Sequence, residues 1–274
     1  MRALRAMVVI GLVFAGCSSD GDVGVDSSAA PSTSAAPTTP PARYTVEVLA
    51  THPHDPAAFT EGLVATEDGR LFESVGGYGR SQVREVELAT GRVIRATDLS
   101  PDFFGEGLAA VGDELVQLTW QEGVAIRWGR DDLVERSRDH YDGEGWGLTN
   151  DGERLLQSDG SSTITARDPE TFEPTGTFDV TSAGVPVDRL NELEVVDGQL
   201  YANVWHSTDI VIVDPAGSGR VTGVIDASKL VPPALTDPEA VLNGIAHRPG
   251  DPPDQLLVTG KDWPVLYEVR VVPA

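Results

Sequence analysis

Cysteine is nearly missing from this chain: Cys17 stands alone among 274 residues. A single thiol closes no intrachain disulfide, and it leaves too little sulfur for a cysteine-built zinc site. His52, His54, His140, His206 and His247 show no metal-ligand spacing either, so no metal is expected from them. Lysine is almost as scarce, with only Lys229 and Lys261. With 20 basic against 43 acidic residues the net charge is -23, which repels phosphates and argues against a nucleic-acid partner. Long apolar runs are wanting too; Met7 to Phe14 is too short to span a bilayer. There is no Gly-x-Ser-x-Gly elbow and no phosphate-cradling glycine loop.

What is present begins with an export pattern. Arg2 and Arg5 precede the short apolar run, and Ala15-Gly16 leads into Cys17, the layout of a secretory signal over residues 1–17. Cys17 after Ala-Gly is similar to a bacterial lipobox, whose cysteine is lipidated and becomes the mature N-terminus. The alternative is an ordinary secretion signal with an incidental cysteine. The expectation is an exported lipoprotein on the outer side of the cytoplasmic membrane, touching it only through lipid on Cys17. Residues 18–42, rich in Ser, Ala, Pro and Thr, cannot bury enough apolar surface to fold and are expected to be a flexible tether. Residues 43–274 remain for one domain. Its 29 glycines and 40% hydrophobic content suit a turn-rich all-β protein, expected as a monomer because a closed ring leaves no sheet edge to pair.

That domain repeats. Phe59-Thr60-Glu61-Gly62-Leu63 is echoed by Phe104-Gly105-Glu106-Gly107-Leu108, Glu144-Gly145-Trp146-Gly147-Leu148, Arg189-Leu190-Asn191-Glu192-Leu193 and Val241-Leu242-Asn243-Gly244-Ile245. The copies stand 45, 40, 45 and 52 residues apart. After each comes a turn and a second apolar run opening at Leu71, Leu115, Leu155, Leu200 or Leu256. Two columns result: Glu61, Glu106, Trp146, Asn191, Asn243, and then Gly76, Trp120, Gly160, Trp205, Lys261. A period of 40 to 50 residues made of short strands predicts a five-bladed β-propeller. The last repeat has three strands, and the strand predicted at 44–50 supplies its fourth, closing the ring between the two termini. Three longer inserts, 98–103, 181–188 and 227–240, each precede a column-one residue and are expected to wall one rim.

Circular closure would bring the columns to one pocket. Glu106, between glycines and beside Phe103 and Phe104, would sit among aromatics, where desolvation raises a carboxyl toward neutrality and suits it to proton transfer. A glutamate tying blade backbones together explains the same residue equally well. Glu61, one blade earlier, could raise Glu106 further or share a cation with it, Asn191 and Asn243; Glu192 is expected to brace. Trp120, Trp146 and Trp205 fall in register as a flat lining, whereas Trp128 and Trp263 are expected in the core or on the surface. Lys261 offers a positive end for an oxyanion, or an ordinary salt bridge.

The five repeats, with His54-Asp55-Pro56, Tyr78-Gly79-Arg80-Ser81, Ser158-Asp159-Gly160 and Val258-Thr259-Gly260-Lys261-Asp262-Trp263-Pro264, resemble the plant and bacterial type of glutaminyl-peptide cyclotransferase over nearly all of residues 44–272. The resemblance implies a zinc-independent five-bladed propeller, with no cofactor required, that turns the N-terminal glutamine of peptides and proteins into pyroglutamate and releases ammonia. It further implies that Glu106 transfers protons, that Asn191 and Lys261 assist, and that Trp120, Trp146, Trp205 and Phe59 line the substrate site, with Glu61 standing where plant members carry a glutamine thought to contact substrate. Two rival readings stay open: a calcium-dependent lactonase-like propeller, and a tethered binding module without turnover.

Overall fold

The computed structural model describes residues 39–274. The signal and Cys17 lie outside the described residues, as does the tether up to residue 38. Period-two patterning broken by Gly and Asp-Gly turns makes the described chain almost entirely strand, with one 3-10 turn at Ser228–Leu230. Strand β1 (Ala42–Pro53) comes first. Three four-stranded antiparallel sheets then follow in chain order. One contains β2 (Thr60–Ala65), β3 (Leu71–Val75), β4 (Gln82–Glu87) and β5 (Arg92–Asp98). The next contains β6 (Gly105–Val111), β7 (Glu114–Thr119), β8 (Val124–Gly129) and β9 (Glu135–His140). The third contains β10 (Leu148–Asn150), β11 (Leu155–Gln157), β12 (Thr163–Arg167) and β13 (Pro174–Asp179).

The insert at 181–188, expected as loop, forms a small hairpin of β14 (Thr181–Ser182) and β15 (Val185–Pro186), with Thr181 beside Arg220. The remaining strands make one larger sheet. In it β16 (Leu190–Val196), β17 (Gln199–Val204), β18 (Asp209–Asp214) and β19 (Arg220–Asp226) form one antiparallel run. Strands β20 (Leu242–Ala246), β21 (Gln255–Gly260) and β22 (Val265–Pro273) form another, and β1 adds antiparallel to β22, from Tyr44 opposite Pro273 to Pro53 opposite Val265. The first residues of β1 also pair in parallel with β19, from Ala42 opposite Gly223 to Thr45 opposite Asp226. The repeat pattern did not foresee that seam. It satisfies backbone groups that would otherwise form an open edge.

The arrangement is propeller-like. The first strands of successive units touch in a cycle, β2 to β6 to β10 to β16 to β20 and back to β2. The apolar core lies between neighbouring units: Phe72 and Val83 pack with Leu115 and Ile126, for example, and Leu63 with Leu257 across the closure. Trp128 and Trp263 are both buried in this core. Strands β5, β9 and β13 are largely exposed.

The conserved spacing of the repeats has a local cause. The ladder slips between Thr60 and Gly62 in β2, Gly105 and Leu108 in β6, Leu190 and Leu193 in β16, and Leu242 and Ile245 in β20. The skipped residues include Glu61, Glu106, Asn191 and Asn243. A bulge takes a residue out of the ladder and re-aims its side chain. The glycine that follows allows close approach: a Cβ on Gly107 would lie 2.4 Å from the Leu148 nitrogen. Glu192 holds that glycine place in its own repeat, and its buried carboxylate accepts hydrogen bonds from the backbone N–H of Ile245 at 2.7 Å and of Leu63 at 3.3 Å. It braces the ring, as the sequence suggested. Burial, then the charge of Glu194, pushes its carboxyl well above the ordinary range.

Candidate active site

The bulges re-aim Glu61, Glu106, Asn191 and Asn243, Trp146 stands just before unbulged β10, and the ends of the second strands bring column two beside them. Glu61, Glu106, Asn191 and Lys261, all buried, face one cavity of about 300 Å³. Phe59, Trp120, Trp146 and Trp205 border the same space, whereas Asn243 of column one is not among the residues that line it. Phe104 and Glu239 line it as well.

The floor is an ordered polar group. Lys261 Nζ donates to Glu61 Oε1 at 2.7 Å and stands 4.7 Å from the centre of the Phe59 ring. Asn243 Nδ2 donates to Glu61 Oε2 at 3.1 Å and to the Thr60 carbonyl at 2.9 Å. Both oxygens of Glu61 therefore have partners within the protein, which gives it a bracing task that the sequence reading of a substrate contact did not include. Glu106 is within hydrogen-bonding reach of Glu61. Burial, then the charge of Glu61, pushes the Glu106 carboxyl well above the ordinary range, against the pull of Lys261. Burial raises Glu61 too, but the charge and hydrogen bond of Lys261 draw it back. Two buried carboxylates in contact cannot both stay ionised. The negative charge stays with Glu61, beside its ammonium, and the proton with Glu106. The side-chain oxygen of Asn191 is buried without a hydrogen-bond partner, an acceptor left over at the cavity.

The walls are fixed from outside. One carboxylate oxygen of Glu144 accepts from the indole N–H of Trp120 at 2.9 Å and of Trp146 at 3.0 Å; the other accepts from Gln121 at 2.9 Å. Burial would raise Glu144, but these three donors hold it below the usual carboxylate range. Trp146 meets Trp205 edge-on, with centroids 5.5 Å apart at 89°, and Phe104 packs on Trp120 at 5.7 Å. The column-two glycines make room for rings: a Cβ on Gly160 would come 2.7 Å from the Trp146 indole, and one on Gly76 would come 2.4 Å from the Phe104 ring.

A second buried network ties the loop of Phe59 to that of Lys261. His54 Nδ1 lies 2.7 Å from the Trp263 carbonyl and Nε2 lies 2.9 Å from Glu73, which also takes Thr60 at 2.7 Å and Arg84 at 2.8 Å. Both ring nitrogens face acceptors, which only an imidazolium satisfies. Burial would lower His54, but the charge of Glu73 overcomes it and raises it; Glu73 itself is held down to about 2, its burial outweighed by His54 and Arg84.

Sequence reasoning missed two residues here, Glu144 and Glu239. Phe104 lies inside the repeat that carries Glu106 and was legible as its neighbour. Glu144 opens the third repeat, but nothing in its position shows that it would bond two indoles. Glu239 sits in the insert at 227–240 expected to wall the rim, without any pattern of its own. Among the described residues no three His, Cys, Asp or Glu side chains gather as a metal cluster.

The chain is 40% identical over 230 residues to the glutaminyl-peptide cyclotransferase of Arabidopsis thaliana, covering 82% of this chain and 71% of that one. The crystal structure of Myxococcus xanthus glutaminyl cyclase superposes with a TM-score of 0.79 at 40% identity, over 85% of this chain and 99% of that chain. The family model for glutamine cyclotransferase matches residues 23–271. Matched along nearly its whole described length, and in sequence as well as in fold, the chain belongs to the glutamine cyclotransferase family.

Proposed function

We propose that this protein is a glutaminyl-peptide cyclotransferase, converting N-terminal glutamine to pyroglutamate with release of ammonia, on a five-bladed propeller in which β1 completes the last blade. The observation that carries the mechanism is the Glu106 carboxyl, buried and raised well above its ordinary range, at the base of a cavity walled by indoles. In cyclisation the α-nitrogen bonds to the side-chain amide carbon and loses one proton, the carbon–nitrogen bond of the amide breaks, and the departing nitrogen gains one proton. A neutral carboxyl has an oxygen to accept the first proton and an O–H to supply the second, so the Glu106 side chain ends each turnover as it began. Free α-amines titrate near pH 8, so cyclisation proceeds from the uncharged amine, whose fraction grows as pH rises toward that value. Trp120, Trp146 and Trp205 fold the glutaminyl chain on itself, which supplies proximity. The free oxygen of Asn191 accepts from an N–H of the substrate while its amide nitrogen, with Lys261, faces the transient oxyanion.

Replacing Glu106 by glutamine removes the O–H and the proton acceptor together. Ammonia release from a Gln-initiated dipeptide is expected to fall at least about a hundredfold in a protein that still folds; near-normal turnover refutes the assignment. The calcium reading needs an anionic Glu61, but Lys261 already places its charge 2.7 Å from that carboxylate. Activity is therefore expected to persist in excess chelator. The exported, tethered placement read from residues 1–42 belongs to the same proposal: wild-type protein takes up labelled palmitate in a bacterial host, and Cys17→Ser does not.

A further inference from the structure

The chemistry above leaves one lining group without a task. Glu61, Glu106, Asn191 and Lys261 are buried, so a peptide whose first residue reaches them must leave through the more open side of the cavity. Glu239 marks that side, its side chain 46% exposed. Its place is built. Its N–H donates to Asp237 Oδ1 at 2.9 Å, its carbonyl accepts from Val241 at 2.7 Å, and the next carbonyl, Ala240, accepts from the Trp263 indole at 3.0 Å. Facing it, His206 Nε2 lies 3.4 Å from Glu239 Oε1, and the His206 ring lies 4.2 Å from that of Trp205. His206 holds φ at 58°, the left-handed region that few residues other than glycine occupy, which keeps its ring turned back on the indole.

Acidic groups outnumber basic ones around this opening. The charge of Lys261 is taken by Glu61, and Glu144 is engaged by two indoles. Asp237 and Asp262 lie near enough to act on each other electrostatically, and Arg80, over the Phe59 ring at 5.8 Å, offsets part of that charge at Asp262. We propose that Glu239, His206 and Trp205 form a subsite for a basic side chain on the residue after the glutamine, so that the preferred substrates begin Gln-Lys or Gln-Arg. The aliphatic stem lies along the indole of Trp205 and the cation reaches the Glu239 carboxylate. An acidic residue at that position meets repulsion instead. The inference rests on the activity proposed above.

The test uses the purified protein and three dipeptide amides, Gln-Lys, Gln-Ala and Gln-Glu, with ammonia as the readout. At about 0.02 M salt, kcat/KM is expected to be about tenfold higher for Gln-Lys than for Gln-Glu, and the ratio is expected to shrink at about 0.5 M salt, where charges are screened. Glu239→Gln draws the ratio toward one and Glu239→Lys inverts it. Gln-Ala turnover with a flat ratio in the wild type, or a ratio that neither variant moves, overturns the subsite and leaves the activity standing. Ammonia from none of the three peptides overturns the activity, and the subsite with it.

Discussion

Glu61 and Glu144 show how much a single carboxylate does here. Glu61 stabilises the proton on Glu106 by holding the negative charge next to Lys261. With Glu61→Gln, Glu106 loses an anionic neighbour and faces an unshared ammonium, so its carboxyl titrates lower. The basic limb of kcat/KM against pH, where the neutral carboxyl is lost, is then expected to move to lower pH; Glu144, Glu192, Glu239, Tyr78 and Tyr141, other titratable groups acting on this pair, are unchanged in that variant. Identical profiles would show that Glu61 does not set the state of Glu106. Glu144 touches no reacting atom and acts through the rings it holds. Glu144→Ala frees both indoles, with an expected loss of about tenfold or more in kcat/KM and a change in tryptophan fluorescence. Glu144→Gln keeps an acceptor for the indoles and should restore most of both; failure of that rescue would assign Glu144 an electrostatic role instead.

Among the strands, the bulges and their glycines do the placing. A methyl on Gly107 meets the backbone of Leu148 and Gly147, at 2.4 and 2.5 Å, and backbone cannot give way as a side-chain tip can. Gly107→Ala is expected to lower the unfolding free energy by about 2 kcal/mol or more in urea titrations. Gly176→Ala, on exposed β13 with nothing within 4 Å, serves as the control and is expected to stay within about 0.5 kcal/mol of wild type. Equal losses at the two sites would remove the packing argument. The column-one pattern was legible because the bulge recurs at the same point in four of the five repeats, the exception being β10. The bridge from Thr181 to Arg220 was not, since the two residues are far apart in the chain.

For the molecule as a whole, closure is what pH can loosen. His54 joins the segment after β1 to Glu73 and to Trp263, across the meeting of first and last strands. Its folded pKa is raised, so its contribution is fully present below the unfolded value near 6.5 and is lost as pH rises through the folded value. Glu194, a carboxyl that burial raises to about 8, adds to the same trend: its contribution declines from the ordinary value near 4.5, where the unfolded carboxyl ionises, and is lost by about 8. Unfolding free energy is expected to decline as pH rises from about 4.5 toward 8 in the wild type, and less steeply above about pH 6.5 in His54→Gln. Parallel curves would show that His54 is not the charged link. On the acid side Glu73, held at about 2, keeps its contribution until pH falls from its ordinary value near 4.5 toward 2.

Repeat spacing, the two columns and the orphan strand at the start were readable from residue order, because a bulged inner strand imposes the same short pattern wherever it occurs. Those features named Glu61, Glu106, Trp120, Trp146, Asn191, Trp205 and Lys261 of the cavity's lining, and the family resemblance added Phe59. Which of two glutamates would take the ammonium of Lys261, which carboxylate would hold the indoles, and that Glu239 would stand at the opening were decided by the tertiary structure alone. Each depends on distances of a few ångströms between side chains dozens to hundreds of residues apart, as with Glu61 and Lys261 at 2.7 Å, and no local pattern records a contact that only the closed ring creates.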